Sequence, residues 1–550
     1  MEDWSCYPPI EPSNFDLIIV GTGLPESILA AAASAAGKTV LHLDSSHSYG
    51  CHFASLSLQD FTDFLQTHSK TQSPLPEIEP SSGECNVLPL VTRPVYSSLE
   101  VNVYSPEIIE KSSKFSLDLA GPRLMFCADS MVDLILQTDI NQYMDFKSVE
   151  SSFICEGDDC NLWSVPDSRS AIFKDKVLSF TEKNQLMRFF KLVQKHYEDK
   201  SDEANAKISD EDLESPFAEF MSKKIGMSSK LKSVILYAIS MADYEQDSVE
   251  QCKNVLKTKE GLDRLILYHA SIGRFPNAPG AMIYPMYGQG ELPQAFCRRA
   301  AVKGCLHVLR MPVVALLVDK DVGSYKGVRL ATGQELFSQR LILSPSYVVP
   351  SGLVRPPNPL QEGINDMGTA DAKQKVIRAI CITKASLKSD VANCLVFLPP
   401  QSLCPEQQTS IRAFQLSSNV AACPPDLFVV YLSSVCEDVV QGKKLMNLAI
   451  DALFTVPVSK DPDENCTEHD SEFTTTKVKP TLLWSILYVQ DQTAVEIDTV
   501  SSTFMPDGTL LYNNLLEATT KLFQTMYPGE VFLPKATSSD TVVEDVESDL

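Results

Sequence analysis

The stretch Asn14–Ser55 constrains the fold more than any other. Phe15-Asp16-Leu17-Ile18-Ile19-Val20 reads as a strand, and Gly21-Thr22-Gly23-Leu24-Pro25-Glu26 as a tight glycine turn. An alanine-rich helix from Ser27 to Ala36 follows, closed by Gly37, and a second strand, Thr39 to Leu43, ends at Asp44. A strand, a Gly-x-Gly turn, a helix and an acid about 20 residues on make up the β-α-β unit of a dinucleotide-binding fold. The third small residue of that fingerprint is missing, and Glu26 stands in its place. A pyrophosphate would sit on the helix N-terminus, drawn by free N–H groups and the positive end of the dipole. Glu26 brings the protein's own carboxylate to that position, and two negative groups at one desolvated helix end repel. The unit therefore predicts an α/β, FAD/NAD(P)-binding-like scaffold without a functional flavin site and without a cofactor. A tolerated variant that still holds a flavin is the other reading.

The chain has 550 residues and a net charge of −24, with no Lys/Arg run, which excludes nucleic acid as an expected partner. Its 15 cysteines include no C-x-x-C, and Met1-Glu2-Asp3-Trp4 does not begin a signal peptide. Free thiols in a reducing cytoplasm are expected. No apolar run reaches the ~20 residues that cross a bilayer.

Composition and period divide the chain. Residues 1–65 hold the first part of the dinucleotide fold. Residues 66–110 read as a Pro/Ser-rich acidic insertion, for example Gln72-Ser73-Pro74-Leu75-Pro76. The scaffold continues over 111–174, where Ser130 can cap a helix and a strand follows near Phe146. Residues 175–272 carry a helical period, with stripes at Leu186, Phe189, Phe190, Val193 and Tyr197, at Leu231, Val234, Ile235, Ala238 and Ile239, and at Leu262, Leu265, Ile266, His269 and Ile272. This is an inserted helical subdomain, its stripes either plain core or the walls of a lipid groove. Scaffold returns over 273–375, with a helix from about Pro293 to Lys303. Residues 376–533 are β-rich with a last helix, Leu515 to Met526. Residues 459–472 form an acidic loop, and 534–550 a disordered acidic tail.

No H-E-x-x-H, G-x-S-x-G or G-x-x-x-x-G-K-[ST] occurs, so no catalytic residue and no metal site are expected. Eight histidines are spread singly, and His42, inside a strand, reads as a core residue. A large cofactor-type fold without a reactive constellation points to binding rather than catalysis. Glu291 and Arg298, seven residues apart, share a helix face and suit a polar protein contact.

At these residues the chain resembles a known family. Ile19-Val20-Gly21-Thr22-Gly23-Leu24-Pro25-Glu26 with Val40-Leu41-His42-Leu43-Asp44, then Phe115-Ser116-Leu117-Asp118-Leu119, then Tyr287-Gly288-Gln289-Gly290-Glu291-Leu292-Pro293-Gln294 with Phe296-Cys297-Arg298, resemble three successive blocks of the Rab GDP-dissociation inhibitor and Rab escort protein family. The likeness continues through Arg378-Ala379-Ile380 and Leu483-Trp484. It implies a flavoprotein oxidase-like, multi-domain fold that does not use the flavin. It also implies a non-catalytic protein that binds GDP-bound Rab GTPases, unprenylated and prenylated.

The residues matching the family's Rab-binding platform are Tyr49, Gln289, Glu291, Arg298 and Val308. A groove for the Rab C-terminus is implied near Phe414, Leu416, Val429 and Tyr431. The helical subdomain would shelter the geranylgeranyl lipid and, in escort proteins, dock on the Rab geranylgeranyl transferase α/β heterodimer. A cytosolic protein with transient membrane contact follows. The escort branch fits best, from the Pro25-Glu26-Ser27 and Gln289 variants and the long segment between the first two blocks. An inhibitor that recycles prenylated Rabs is the alternative, and a flavin-dependent oxidoreductase the remote one. Cys51 and Cys305 stand where the family has the second glycine of a Gly-Gly pair.

Overall fold

A computed structural model of the chain describes residues 7–70, 85–157, 160–166, 169–197, 208–248, 252–350, 353, 374–457, 479–493 and 498–535. The expected acidic loop at 459–472 and the tail from Ala536 lie outside them.

The opening unit forms as its sequence dictates. Strand β1 (Asn14–Val20) enters the glycine turn, helix α1 (Leu24–Ala35) leaves it, and strand β2 (Val40–Leu43) returns parallel to β1. The helix starts three residues earlier than expected because Pro25 sits in its first turn, where a missing N–H costs nothing. The first large sheet runs Leu306–Val308, β2, β1, Glu335–Leu343, Tyr325–Leu330, Val313–Asp319, Cys85–Pro89, with Val500–Ser502 also on the 335–343 strand. Its first strands are parallel and the last pairings antiparallel. A parallel sheet with a glycine turn at the carboxyl end of its first strand is the dinucleotide-binding architecture.

The second sheet has eight strands: Asn161–Ser164, Ser151–Glu156, Cys394–Leu398, Ile411–Ser417, Phe428–Cys436, Lys375–Thr383, Leu482–Asp491 and Tyr96–Val103. Within residues 66–110, read as an insertion, Cys85–Pro89 is therefore an edge of the first sheet and Tyr96–Val103 an edge of the second. Edges tolerate the prolines that made this stretch look irregular.

Among the described residues of this region the helices Phe180–Tyr197, Val234–Ile239 and Thr258–Ser271 stand out, with the Leu231, Val234, Ile235, Ala238 and Ile239 stripe buried in the core shared with the second sheet. Asp129, not Ser130, caps the helix Ser130–Gln137, its carboxylate accepting from the Met131 amide. Cys155 and Cys160 are disulfide-bonded, their Cα atoms 4.7 Å apart where the strands 151–156 and 161–164 turn, so these two thiols are not free as expected.

The three sequence blocks meet at one buried carboxylate. Asp118 Oδ1 accepts from the Ser55 hydroxyl at 2.6 Å and the Gln289 amide at 3.0 Å, and Oδ2 accepts from the Tyr284 hydroxyl. Gly288, at φ +108°, lies so close to Ser55 and Asp118 that a side chain has no room.

Candidate functional site

The glycine turn is built for close approach, but the chain fills it. Gly21 has φ +106°, and a Cβ there would lie 2.5 Å from the Ser344 Cβ. Glu26 is buried and folds back over Gly23, so that a Cβ at Gly23 would overlap its Oε2. Its Oε1 accepts from the Thr503 hydroxyl. Burial raises the Glu26 carboxyl to about 7, with the Thr503 bond opposing and Asp44 adding a little. Near neutral pH Glu26 is thus partly protonated, and the expected fixed negative charge is corrected: the block is chiefly steric. Asp44, where the ribose acid would stand, spends Oδ2 on the Thr22 amide (2.8 Å) and hydroxyl (2.6 Å) and Oδ1 on the Ser46 amide (2.7 Å). These residues do not fit a dinucleotide pyrophosphate and ribose. Purified protein is expected to show no flavin absorbance, and flavin released on denaturation would overturn this reading.

One face beside the turn gathers most of the platform residues. The helix Glu291–Val302 buries Leu292, Ala295, Phe296 and Ala300 and packs along α1. Its outward line is Glu291, half-buried, and then Gln294 and Arg298, both exposed. The Arg298 guanidinium lies over the Tyr143 ring, 4.7 Å from its centroid, which holds the fork in place. Burial raises the Glu291 carboxyl. Tyr49 is partly exposed and meets the His307 ring edge-on at 6.4 Å. Val308, partly exposed, follows on the edge strand Leu306–Val308, which pairs with β2. Tyr49, Glu291, Arg298 and Val308 therefore sit on neighbouring elements with accessible side chains.

Gln289 does not join them. It is 2 % exposed, with its amide held by Asp118 and its side chain turned inward toward the Arg123 carbonyl. Its contacts hold the turn before the helix Glu291–Val302. The groove residues are also corrected: Phe414, Leu416, Val429 and Tyr431 are all buried in the core. Phe414 packs on Tyr284, with ring centroids 5.4 Å apart, and the Tyr431 hydroxyl accepts from the Asp118 amide. Their strands are interior to a sheet covered on both faces, so an alternating apolar pattern marked core, not a groove.

An apolar cleft does open in the helical region. It measures about 270 Å³ and is walled by Ile172, Phe190, Val193, Ile239, Leu265 and Ile266. Most residues of the three stripes are core, while Phe190, Val193, Ile239, Leu265 and Ile266 also line this cleft.

Cys51 keeps a positive φ of +46°, so the turn retains glycine-like geometry despite its Cβ. At the second pair, Gly304 has φ +90° and Cys305 does not need a positive φ.

Sequence reading missed a cluster beneath Tyr49. His42 and His307 are register partners on β2 and the edge strand, their rings 5.0 Å apart. Cys297 reaches them from the platform helix, its Sγ 3.8 Å from His42 Nδ1. Burial lowers both imidazoles, His42 to about 3 and His307 to about 4, so both are neutral. Three separate segments supply these residues, and no local spacing signals them.

The chain matches the family described as GDP dissociation inhibitor over residues 11–79 and 81–460. It is 49 % identical to Rab escort protein 1 of Arabidopsis thaliana, across 100 % of this chain and 99 % of that protein. It is 27 % identical to the Drosophila melanogaster protein named Rab proteins geranylgeranyltransferase component A, across 98 % and 93 %. The crystal structure of a Rab GDI from Plasmodium falciparum superposes with a TM-score of 0.65 at 19 % identity, covering 94 % of this chain and 99 % of that one, and so shares the fold. The chain belongs to the family of GDP dissociation inhibitors and Rab escort proteins.

Proposed function

We propose that this protein is a Rab escort protein: it binds a newly made, GDP-loaded Rab GTPase, presents the Rab C-terminal cysteines to Rab geranylgeranyl transferase, and shields the prenylated product until delivery to a membrane. The observation that carries this reading is the accessible face of Tyr49, Glu291, Arg298 and Val308 on a chain so similar, end to end, to a protein named Rab escort protein 1. The protein supplies no catalytic residue, and the transfer chemistry belongs to the transferase. It works in the cytosol and touches membranes transiently. Among the described residues no helix is long and apolar enough to cross a membrane. The 270 Å³ cleft among the helices supports lipid shelter. Each buried CH₂ of a prenyl chain contributes about 0.8 kcal/mol, so even partial cover opposes exposure of the chain to water.

The platform makes a direct prediction. Arg298→Ala is expected to weaken binding of a GDP-loaded Rab by at least about 2 kcal/mol, roughly 30-fold, because it removes a planar cation pre-set on Tyr143. Arg298→Lys keeps the charge but not the fork, and falls between. Titration calorimetry checks both, and unchanged affinity in Arg298→Ala would remove this residue from the interface.

The role as a whole is tested by reconstituted prenylation: unprenylated Rab-GDP, transferase heterodimer and labelled geranylgeranyl diphosphate, with and without this protein. Transfer only in its presence is the expected result. A second reading, an inhibitor that recycles prenylated Rabs, draws on the 26 % identity to a Schizosaccharomyces pombe protein named as a probable secretory pathway GDP dissociation inhibitor, across 82 % of this chain and 90 % of that one. Extraction of prenylated Rab from membranes without stimulation of transfer would favour it.

A further inference from the structure

We propose that His42, Cys297 and His307 form a zinc site that fastens the platform to the first sheet. Their donor atoms all lie within 4.8 Å of one another. Tetrahedral zinc at its usual bond lengths holds a sulfur and a nitrogen about 3.6 Å apart. Cys297 Sγ and His42 Nδ1 are 3.8 Å apart, so an ion fits between them with little movement.

The surroundings of His42 are those of a ligand. Its Nε2 lies 2.7 Å from the Gly21 carbonyl, which accepts only if that nitrogen carries the proton. Nδ1 is then the atom with a free lone pair, and it is the one facing Cys297. A backbone carbonyl that fixes tautomer and ring orientation is the usual outer partner of a metal-bound histidine. His307 approaches from the neighbouring strand at the same register position. The site opens on the side of His307, which is only partly buried and borders Tyr49. The Cys305 Sγ lies 3.9 Å from His307 Nε2 but outside the group of three. One thiolate with two imidazoles suits a borderline-soft ion such as Zn²⁺ and not a hard, oxygen-seeking one.

Binding is a simple exchange. The Cys297 thiol, which donates to the Ser27 hydroxyl oxygen at 3.2 Å, gives its proton to solvent as the sulfur–zinc bond forms. No redox partner is involved. The ion would join β2, the edge strand and the platform helix, the elements that flank Tyr49 and carry Arg298 and Val308.

The test uses the full-length protein, first stripped by a chelator under reducing conditions. Titration with Co²⁺ is expected to give a thiolate-to-cobalt charge-transfer band and intense tetrahedral d–d bands at one equivalent, both removed by Zn²⁺. Zn²⁺ is expected to raise the melting temperature. His307→Gln and Cys297→Ser should each weaken zinc binding by at least about 100-fold, beyond the ~10–100-fold typical of losing an outer-shell partner. Cys436→Ser, a thiol remote from the cluster in sequence and sheet, should bind as the parent does. If Cys297→Ser fails to fold, His307→Gln decides alone. Cobalt spectra and zinc affinity unchanged in His307→Gln, or no tetrahedral spectrum in the parent protein, would overturn the proposal.

Discussion

Asp118→Ala is expected to destabilise the protein by about 3–5 kcal/mol. The carboxylate is 1 % exposed and receives the Ser55 hydroxyl, the Tyr284 hydroxyl and the Gln289 amide. Alanine leaves three donors without an acceptor, the Tyr284 hydroxyl and Gln289 amide buried and the Ser55 hydroxyl partly so, at about 1–3 kcal/mol for each buried one. Water entering the new space recovers part of that. Asp118→Asn keeps the shape and one acceptor oxygen, so less than half of the loss is expected. Urea unfolding gives the magnitude, and hydrogen exchange at the Gln289 and Gly290 amides gives the location. A loss below about 1 kcal/mol would show that the three donors find other partners. On the escort reading the variant also binds Rab less well, because the Gln289 amide anchors the turn that starts the Glu291–Val302 helix.

Glu26→Gln is expected to remove a pH dependence. The Glu26 carboxyl is raised from 4.5 to about 7 in the folded protein, mainly by burial. Between those values the folded state holds a proton that the unfolded chain has lost. Its contribution is therefore fullest below 4.5, declines as pH rises, and is level above about 7. The total decline is roughly 3 kcal/mol, from 1.36 kcal/mol per pKa unit. The amide of the variant keeps an oxygen for Thr503 and has no proton to lose. The variant should match the parent near pH 4 and exceed it by roughly 3 kcal/mol at pH 8. The buried histidines titrate in the opposite sense, but they are common to both proteins and cancel in the difference. Denaturant unfolding at several pH values tests this, and parallel curves for parent and variant would show that Glu26 is ionised throughout.

The opening β-α-β unit was legible because its logic is local: a strand, a turn only glycine can make, and a helix that must follow. Glu291 and Arg298 were legible as well, since a seven-residue spacing on a helix leaves both on one side. Phe414, Leu416, Val429 and Tyr431 misled because alternation reports which residues share a face, not whether that face is covered. Gln289 misled in a similar way, being a polar residue in a glycine turn whose amide serves the interior. The helix Val439–Leu453 escaped notice although Asp438 caps it and Leu445, Met446, Ala449, Ile450 and Leu453 carry its buried face. The His42, Cys297 and His307 cluster had no local signal, since its members come from two strands and a helix far apart in the chain.

The Glu26–Thr503 bond has a consequence for the order of events at the ribosome. The two residues are 477 positions apart, and the strand Val500–Ser502 that delivers Thr503 is itself a member of the first sheet. Everything needed for β1, α1 and β2 emerges at the start of synthesis, yet the buried carboxyl in their turn has no hydroxyl to meet until nearly the whole chain is made. A unit translated well before Thr503 is thus completed only after it. A chain that stops just before Thr503 would hold most of the first sheet with that buried carboxyl unanswered.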